Sequence, residues 1–256
     1  MKKFLLLALV LLMSLNLFSC TKKIEYNEAK DIAHKYMQAL RSADGDVLFE
    51  AAKLKNQKQI EKEAFQRSLT QTLKKIGEFK EGKDEKFDYI ENTYVLSSED
   101  KFTYRMTTSI IELNKSGGLN NAYFVLKEPI CEDNDIFKEE SFVLDNEGAK
   151  MYGALTIPKD FTSKKVVFMM QGSGPQDMDE TVGLNGNKPF RDLAHGLAKL
   201  GIATLRIDKR YVNNAPKEYN VDEEVLSDAK LAIEEFKKDS RFDDVYVLGH
   251  SLGAML

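Results

Sequence analysis

Tryptophan is absent, cysteine occurs twice and histidine three times in 256 residues. The few His and Cys are not clustered, and no loop carries regularly spaced acids. Neither a zinc nor a calcium site is therefore expected, and no metal or other cofactor is called for. No basic stripe breaks the mixture of 37 Lys and Arg with 41 Asp and Glu, and the net charge is −4. A nucleic-acid partner would need such a stripe, so none is expected. Internal repeats and low-complexity tracts are also missing. The longest apolar run, Phe4 to Met13, is too short to cross a bilayer comfortably. What remains is the composition of an ordinary globular protein, 43% hydrophobic and 30% charged, long enough for two modest domains or one large one.

The N-terminus is the first informative segment. Lys2 and Lys3 precede the Phe4–Met13 run, and Leu17-Phe18-Ser19-Cys20 follows it. A charged start and a short apolar stretch fit a signal peptide. The Leu-Phe-Ser-Cys ending resembles the lipobox of bacterial lipoproteins. That resemblance implies a signal peptide over residues 1–20, acylation of Cys20, and a lipid anchor holding the protein at a membrane of the cell envelope, outside the cytoplasm. A thiol-linked diacylglycerol plus an acylated amine buries enough CH₂ groups for stable anchoring. An uncleaved membrane anchor is the alternative, with the same sidedness. With Cys20 lipidated, Cys131 has no partner for an intramolecular disulfide, so stability must come from packing. Cys131 also sits among Glu128, Glu132, Asp133 and Asp135, acids that oppose thiolate formation and a catalytic role.

Two pattern regimes follow. Residues 21–127 read as a small α+β domain. Asn27 to Arg41 is an amphipathic helix with Ala29, Ala33, Met37 and Leu40 on one face, and Asp44-Gly45-Asp46 breaks it. A second helix is expected from Gln59 to Ile76, stopped by Gly77. The period then changes to two through Phe87, Tyr89, Tyr94, Phe102, Tyr104, Met106 and Ile110, which predicts three or four antiparallel strands. Ser98-Glu99-Asp100 and Asn114 to Gly118 are expected as turns between them. Residues 128–139, acidic and containing Pro129, read as a linker. From 140 to 256 the pattern is a hairpin around Asp145-Asn146-Glu147-Gly148, then strand, helix, strand, helix, strand. Three buried strands (Lys165–Gln171, Ile202–Ile207, Val245–Leu248) alternating with helices (Pro189–Leu200, Val221–Lys238) describe a parallel α/β sheet laid down in order.

The segment that carries chemistry is Leu248-Gly249-His250-Ser251-Leu252-Gly253, a G-x-S-x-G pattern between a buried strand and a helix start. A serine raised on a sharp strand-to-helix turn has strained backbone angles, so the flanking Gly249 and Gly253 must be tiny. The N–H of Leu252 then points at a developing oxyanion. Gln171-Gly172-Ser173-Gly174-Pro175, at the end of the earlier buried strand, offers the Ser173 N–H as a second donor. A plain Gly/Pro turn is the bland alternative, and a phosphate loop is excluded by the missing Lys-Ser/Thr.

These residues together resemble the α/β-hydrolases of the esterase, thioesterase and serine-aminopeptidase-like group. Gly153 to Pro158, the Gln-Gly-Ser-Gly-Pro loop, Arg206-Ile207-Asp208-Lys209-Arg210 and Gly-His-Ser-Leu-Gly occur in that family's order. Tyr211 stands where the family often has glycine. Residues 26–127 are similar to a small α+β domain of uncharacterised function placed ahead of such hydrolases. The resemblance implies that residues 140–256 are the N-terminal half of an α/β-hydrolase domain, an incomplete sheet with β-strand 245–248 at its edge. It also implies that Ser251 attacks a carboxylic ester or thioester. The histidine base and its carboxylate follow the serine in this fold, and neither follows Ser251 here. His250 lies in the elbow itself, His195 reads as a helix residue and His34 belongs to the other domain. Asp177 and Asp208 read as caps. The expectation is a hydrolase fragment without its acid–base pair. The alternatives are a non-catalytic envelope lipoprotein that binds a ligand through its N-terminal domain, and a fragment of a prolyl-oligopeptidase-like peptidase.

Overall fold

A computed structural model describes residues 22–52, 59–183, 185–213 and 220–255. Cys20 and the rest of the predicted signal peptide lie outside the described residues. The chain divides into two compact units after Leu126.

In the first unit, α1 (Tyr26–Arg41), α2 (Gly45–Ala51) and α3 (Gln59–Ile76) precede a four-stranded sheet. Its strands β1 (Phe79–Ile90), β2 (Thr93–Phe102), β3 (Arg105–Asn114) and β4 (Leu119–Pro129) lie in sequence order. The helical stripe Ala29, Ala33, Met37 and Leu40 packs with Leu69 of α3 and with Tyr94, Leu96, Ile111 and Leu113 of the sheet, which is the amphipathic burial the 3.6-residue period encodes. Two local expectations are corrected. Asp44 does not only end α1: its side chain accepts the Val47 N–H at 3.1 Å and starts α2. Ser98-Glu99-Asp100 is not a turn but the interior of β2. Ser98 and Asp100 fall on the inward positions of the strand, where Asp100 accepts two bonds from the Arg41 guanidinium (2.8 and 2.6 Å) and one each from Ser98 and Ser109 (2.6 Å). A buried carboxylate is tolerated when fully hydrogen-bonded, so polar residues here mark a buried network rather than a chain reversal.

The second unit is α/β. A hairpin of β5 (Phe137–Asn146) and β6 (Ala149–Pro158) is followed by β7 (Lys165–Met170), α4 (Pro189–Ala198), β8 (Ala203–Ile207) and a 3₁₀ turn (Arg210–Val212). A π-helical turn (Asp222–Leu226) leads into α5 (Ser227–Phe236), then β9 (Asp244–Gly249) and α6 (Leu252–Met255). The sheet order is β5-β6-β8-β7-β9. β7 is parallel to both β8 and β9, and β6 is antiparallel to β5 and β8, so the sheet is mixed rather than wholly parallel. One face is covered by the π-helical turn and α5, with Val225 of the turn and Ala229, Ala232 and Phe236 of α5 against Phe168, Met170, Leu205 and Ile207. The other is covered by α4, with Phe190 and Ala194 against Met169. The last residues of the segment read as a linker belong to β5, and Glu139 there is buried.

That strand order fixes where a site can form. From β7 the connection through α4 goes to β8 on one side, and the chain then returns past it to β9 on the other. Crevices in open α/β sheets open at the carboxyl ends of strands where the winding reverses in this way.

Candidate active site

β7 and β9 run in register, with Met170 opposite Gly249, so the loops leaving their C-terminal ends emerge side by side. From β9 the chain turns through His250 and Ser251 into α6. The His250 N–H donates to the Met170 carbonyl at 3.0 Å, tying the turn to β7. Ser251 is exposed and has φ +51°, a left-handed conformation that costs an L-residue about 1–2 kcal/mol. The neighbours explain why it persists. A Cβ on Gly249 would lie 2.1 Å from the Gly253 carbonyl oxygen, and one on Gly253 would lie 2.5 Å from that of Met170. Only hydrogen fits at either position, so strand, turn and helix close to a separation that pins Ser251 outward.

The loop from β7 passes directly beside the serine. A Cβ on Gly172 would come 3.2 Å from the Ser251 Cβ. Its amides are divided between two buried carboxylates: Glu180 Oε1 accepts the Gly172 N–H at 3.0 Å, and Glu224 Oε1 accepts the Gly174 N–H at 2.8 Å. Gly174 has φ +89°, which a glycine adopts without cost. Among the described residues the Ser173 N–H between them, and the Leu252 N–H at the start of α6, make no hydrogen bond. The two sequence-predicted oxyanion donors are therefore both without a protein partner among the described residues. Lys209 Nζ donates to the Gly172 carbonyl at 2.7 Å and to Glu224 Oε1 at 2.5 Å. Burial pushes the Lys209 ammonium below its ordinary pKa, while Glu224 and Glu180 oppose that shift.

Each histidine is engaged with a glutamate. His250 Nδ1 lies 2.6 Å from Glu180 Oε1, and its side chain is otherwise mostly exposed. His195 Nε2 lies 3.1 Å from Glu139 Oε1 and its ring packs on Phe137. His34 pairs with Glu85 in the first unit at 2.7 Å. Among the described residues none hydrogen-bonds Ser251. Asp208 accepts the Met178 N–H and Asp177 accepts both the N–H and hydroxyl of Thr181, so both hold the loop after β7. Cys131 is half-buried, and desolvation, with Glu139 adding to it, pushes its thiol up to about 11. Among the described residues no group of acids, His and Cys could hold a metal ion.

Sequence reasoning did not find Glu180, Lys209 or Glu224. Lys209 and Glu224 are far apart in the chain and look like surface charges. The one available signal was the acidic run Asp177-Met178-Asp179-Glu180 straight after the glycine-rich loop, where a solvated loop has no need of three acids so close together.

No family model matches the chain. It is 35% identical over 164 residues to esterase EstD of Thermotoga maritima, an alignment covering 61% of this chain and 38% of that protein. The chain thus spans less than two fifths of the curated relative it matches. Among solved structures it is similar to Est1E from Butyrivibrio proteoclasticus, at 22% identity and a TM-score of 0.34, over 45% of this chain and 42% of that one. It is likewise similar to XC6422 from Xanthomonas campestris, described as an α/β serine hydrolase without a lid, at 21% identity and a TM-score of 0.36, over 46% and 52%. A cold-adapted esterase from an Arctic intertidal metagenomic library matches at 18% identity and a TM-score of 0.37, over 49% and 56%. The second unit has an α/β fold, and the chain is similar in sequence to an esterase over 164 residues.

Proposed function

We propose that the protein is a serine hydrolase of carboxylic esters or thioesters, with Ser251 as its nucleophile. The observation that carries this reading is the exposed Ser251 held at φ +51° by two glycines that admit no side chain. The sequence similarity to an esterase supports the ester class. In the reaction, Ser251 Oγ attacks the acyl carbon while the Leu252 and Ser173 N–H groups take the carbonyl oxygen as it becomes an oxyanion. Collapse of the tetrahedral species expels the alcohol or thiol and leaves the acyl group on Ser251. Water then repeats the sequence and releases the acid. Both steps need a histidine that takes the serine's or water's proton and returns it to the leaving group, oriented by a carboxylate. We assign this work to none of His34, His195 or His250, because among the described residues none of them hydrogen-bonds Ser251. Residues 1–256 alone are then expected to be without turnover. We place the protein in the cell envelope, anchored through an acylated Cys20.

The test is labelling with a fluorophosphonate, together with turnover of short-chain p-nitrophenyl esters by a chain that also supplies a histidine and its carboxylate to Ser251. Ser251→Ala should abolish labelling and reduce kcat by at least about 10⁴-fold, the scale seen when a serine nucleophile is removed. Equal labelling of the two proteins refutes the assignment. Preference for p-nitroanilides over esters would move the substrate class to peptides.

A further inference from the structure

The geometry points to Lys209 and Glu224 as a positioning pair that aims the Ser173 N–H at the substrate oxygen, a role that rests on Ser251 being the nucleophile. Neither residue touches Ser251. Both act on the loop beside it, and they grip it from two sides. Lys209 Nζ holds the Gly172 carbonyl, Glu224 Oε1 holds the Gly174 N–H, and the two charges hold one another at 2.5 Å. The peptide groups on either side of Ser173 are thereby fixed. On the far side Glu180 takes the Gly172 N–H and reaches His250, linking the same loop to the elbow. The Gly172 carbonyl and the Gly172 and Gly174 N–H groups flanking the Ser173 amide are thus committed elsewhere, and that amide is left without a partner among the described residues.

Two further features mark this as more than an incidental ion pair. Lys209 and Glu224 are both at least nine-tenths buried, beside Phe168, Met170, Ile207 and Val225. Burying two charges there brings little net stability over an apolar pair of the same size, so stability does not explain them. Glu224 is also delivered by a π-helical turn, a widening that is rare and concentrates at functional sites. An oxyanion donor is effective only if held in place before the charge develops, and a displacement near 1 Å can cost about 100-fold in rate.

The experiment replaces the pair with an apolar one, Lys209→Met with Glu224→Leu. This avoids the lone buried charge that either single truncation would leave. Glu224→Gln serves as the conservative control, since its amide oxygen can still accept the Gly174 N–H. Two quantities are read: amide hydrogen exchange across Gly172–Gly174, and affinity for phenylboronic acid, which forms a tetrahedral anionic adduct on a nucleophilic serine. The double variant should melt within a few degrees of the parent. It should lose about 10-fold or more in Gly174 protection, and bind the boronate about 10- to 100-fold more weakly. Glu224→Gln should retain the Gly174 protection and most of the affinity. Unchanged boronate affinity in a folded double variant, or unchanged Gly174 protection, overturns the proposal. Failure of the underlying reading looks different: the parent and Ser251→Ala would bind the boronate equally, and that result too removes the role.

Discussion

A methyl group on Gly249 would sit 2.1 Å from the Gly253 carbonyl oxygen, and that contact is with backbone, which cannot swing away. Gly249→Ala should therefore force β9 and α6 apart. Overpacking of this kind costs roughly 1–3 kcal/mol, and the nucleophile would move with the backbone. We expect a small drop in melting temperature with a loss of fluorophosphonate labelling of about 100-fold. A variant labelled at the parental rate would show that the elbow tolerates the wider spacing. The need for glycine at 249 and 253 was readable from the motif, because it follows from the backbone angles of one turn. The roles of Lys209 and Glu224 were not, because a lysine and a glutamate carry no local mark of burial. What makes them functional is a strand end and a π turn meeting at the same loop.

Between elements, the second unit is tied by a buried charge cluster rather than by apolar packing alone. Glu139 of β5 accepts from Arg206 of β8 and from His195 of α4, and Arg206 also reaches Asp179, which pairs with Lys188 at 3.2 Å. Burial by itself would raise the Glu139 carboxyl. The His195 hydrogen bond, the Arg206 charge and the Glu132 N–H outweigh it and hold the group at about 2, against an ordinary 4.5. A carboxyl depressed in the folded state stabilises it above the unfolded pKa, and that contribution is lost as pH falls through the folded value. The window here runs from about pH 4.5 down to about 2, and a shift of this size is worth on the order of 3 kcal/mol. Urea midpoints measured across it should fall steeply for the parent and less steeply for Glu139→Gln. Parallel curves would mean that other carboxylates dominate acid unfolding. None of this was legible in a segment read as an acidic linker, since acidic residues near a proline look solvated until a buried arginine is placed opposite them.

For the molecule as a whole, the distinctive expectation is attachment through Cys20. Cys20→Ser should shift the protein from the detergent phase to the aqueous phase on Triton X-114 partitioning and abolish incorporation of an alkyne-palmitate label. Retention of both in the variant would remove the lipoprotein assignment. The division of labour along the chain was visible as a change of hydrophobic period. The 3.6-residue stripes of α1 and α3 and the strand–helix alternation after residue 140 each record one face that must be buried. The same logic misread Ser98-Glu99-Asp100, where the inward positions of β2 turn polar between Leu96 and Phe102 and interrupt the two-residue period of apolar side chains.

Short-range chemistry was written in the amino acids themselves: an amphipathic stripe, a Gly-x-Ser-x-Gly turn, a glycine-rich loop after a buried strand. Each is set by neighbours within a few residues, whose conformational limits do not depend on the rest of the chain. Long-range electrostatics became visible only once folded, because charges such as Arg41 and Asp100, or Glu139 and Arg206, acquire their meaning from partners 59 and 67 positions away. Water hides such pairings in the open chain, and burial makes them obligatory.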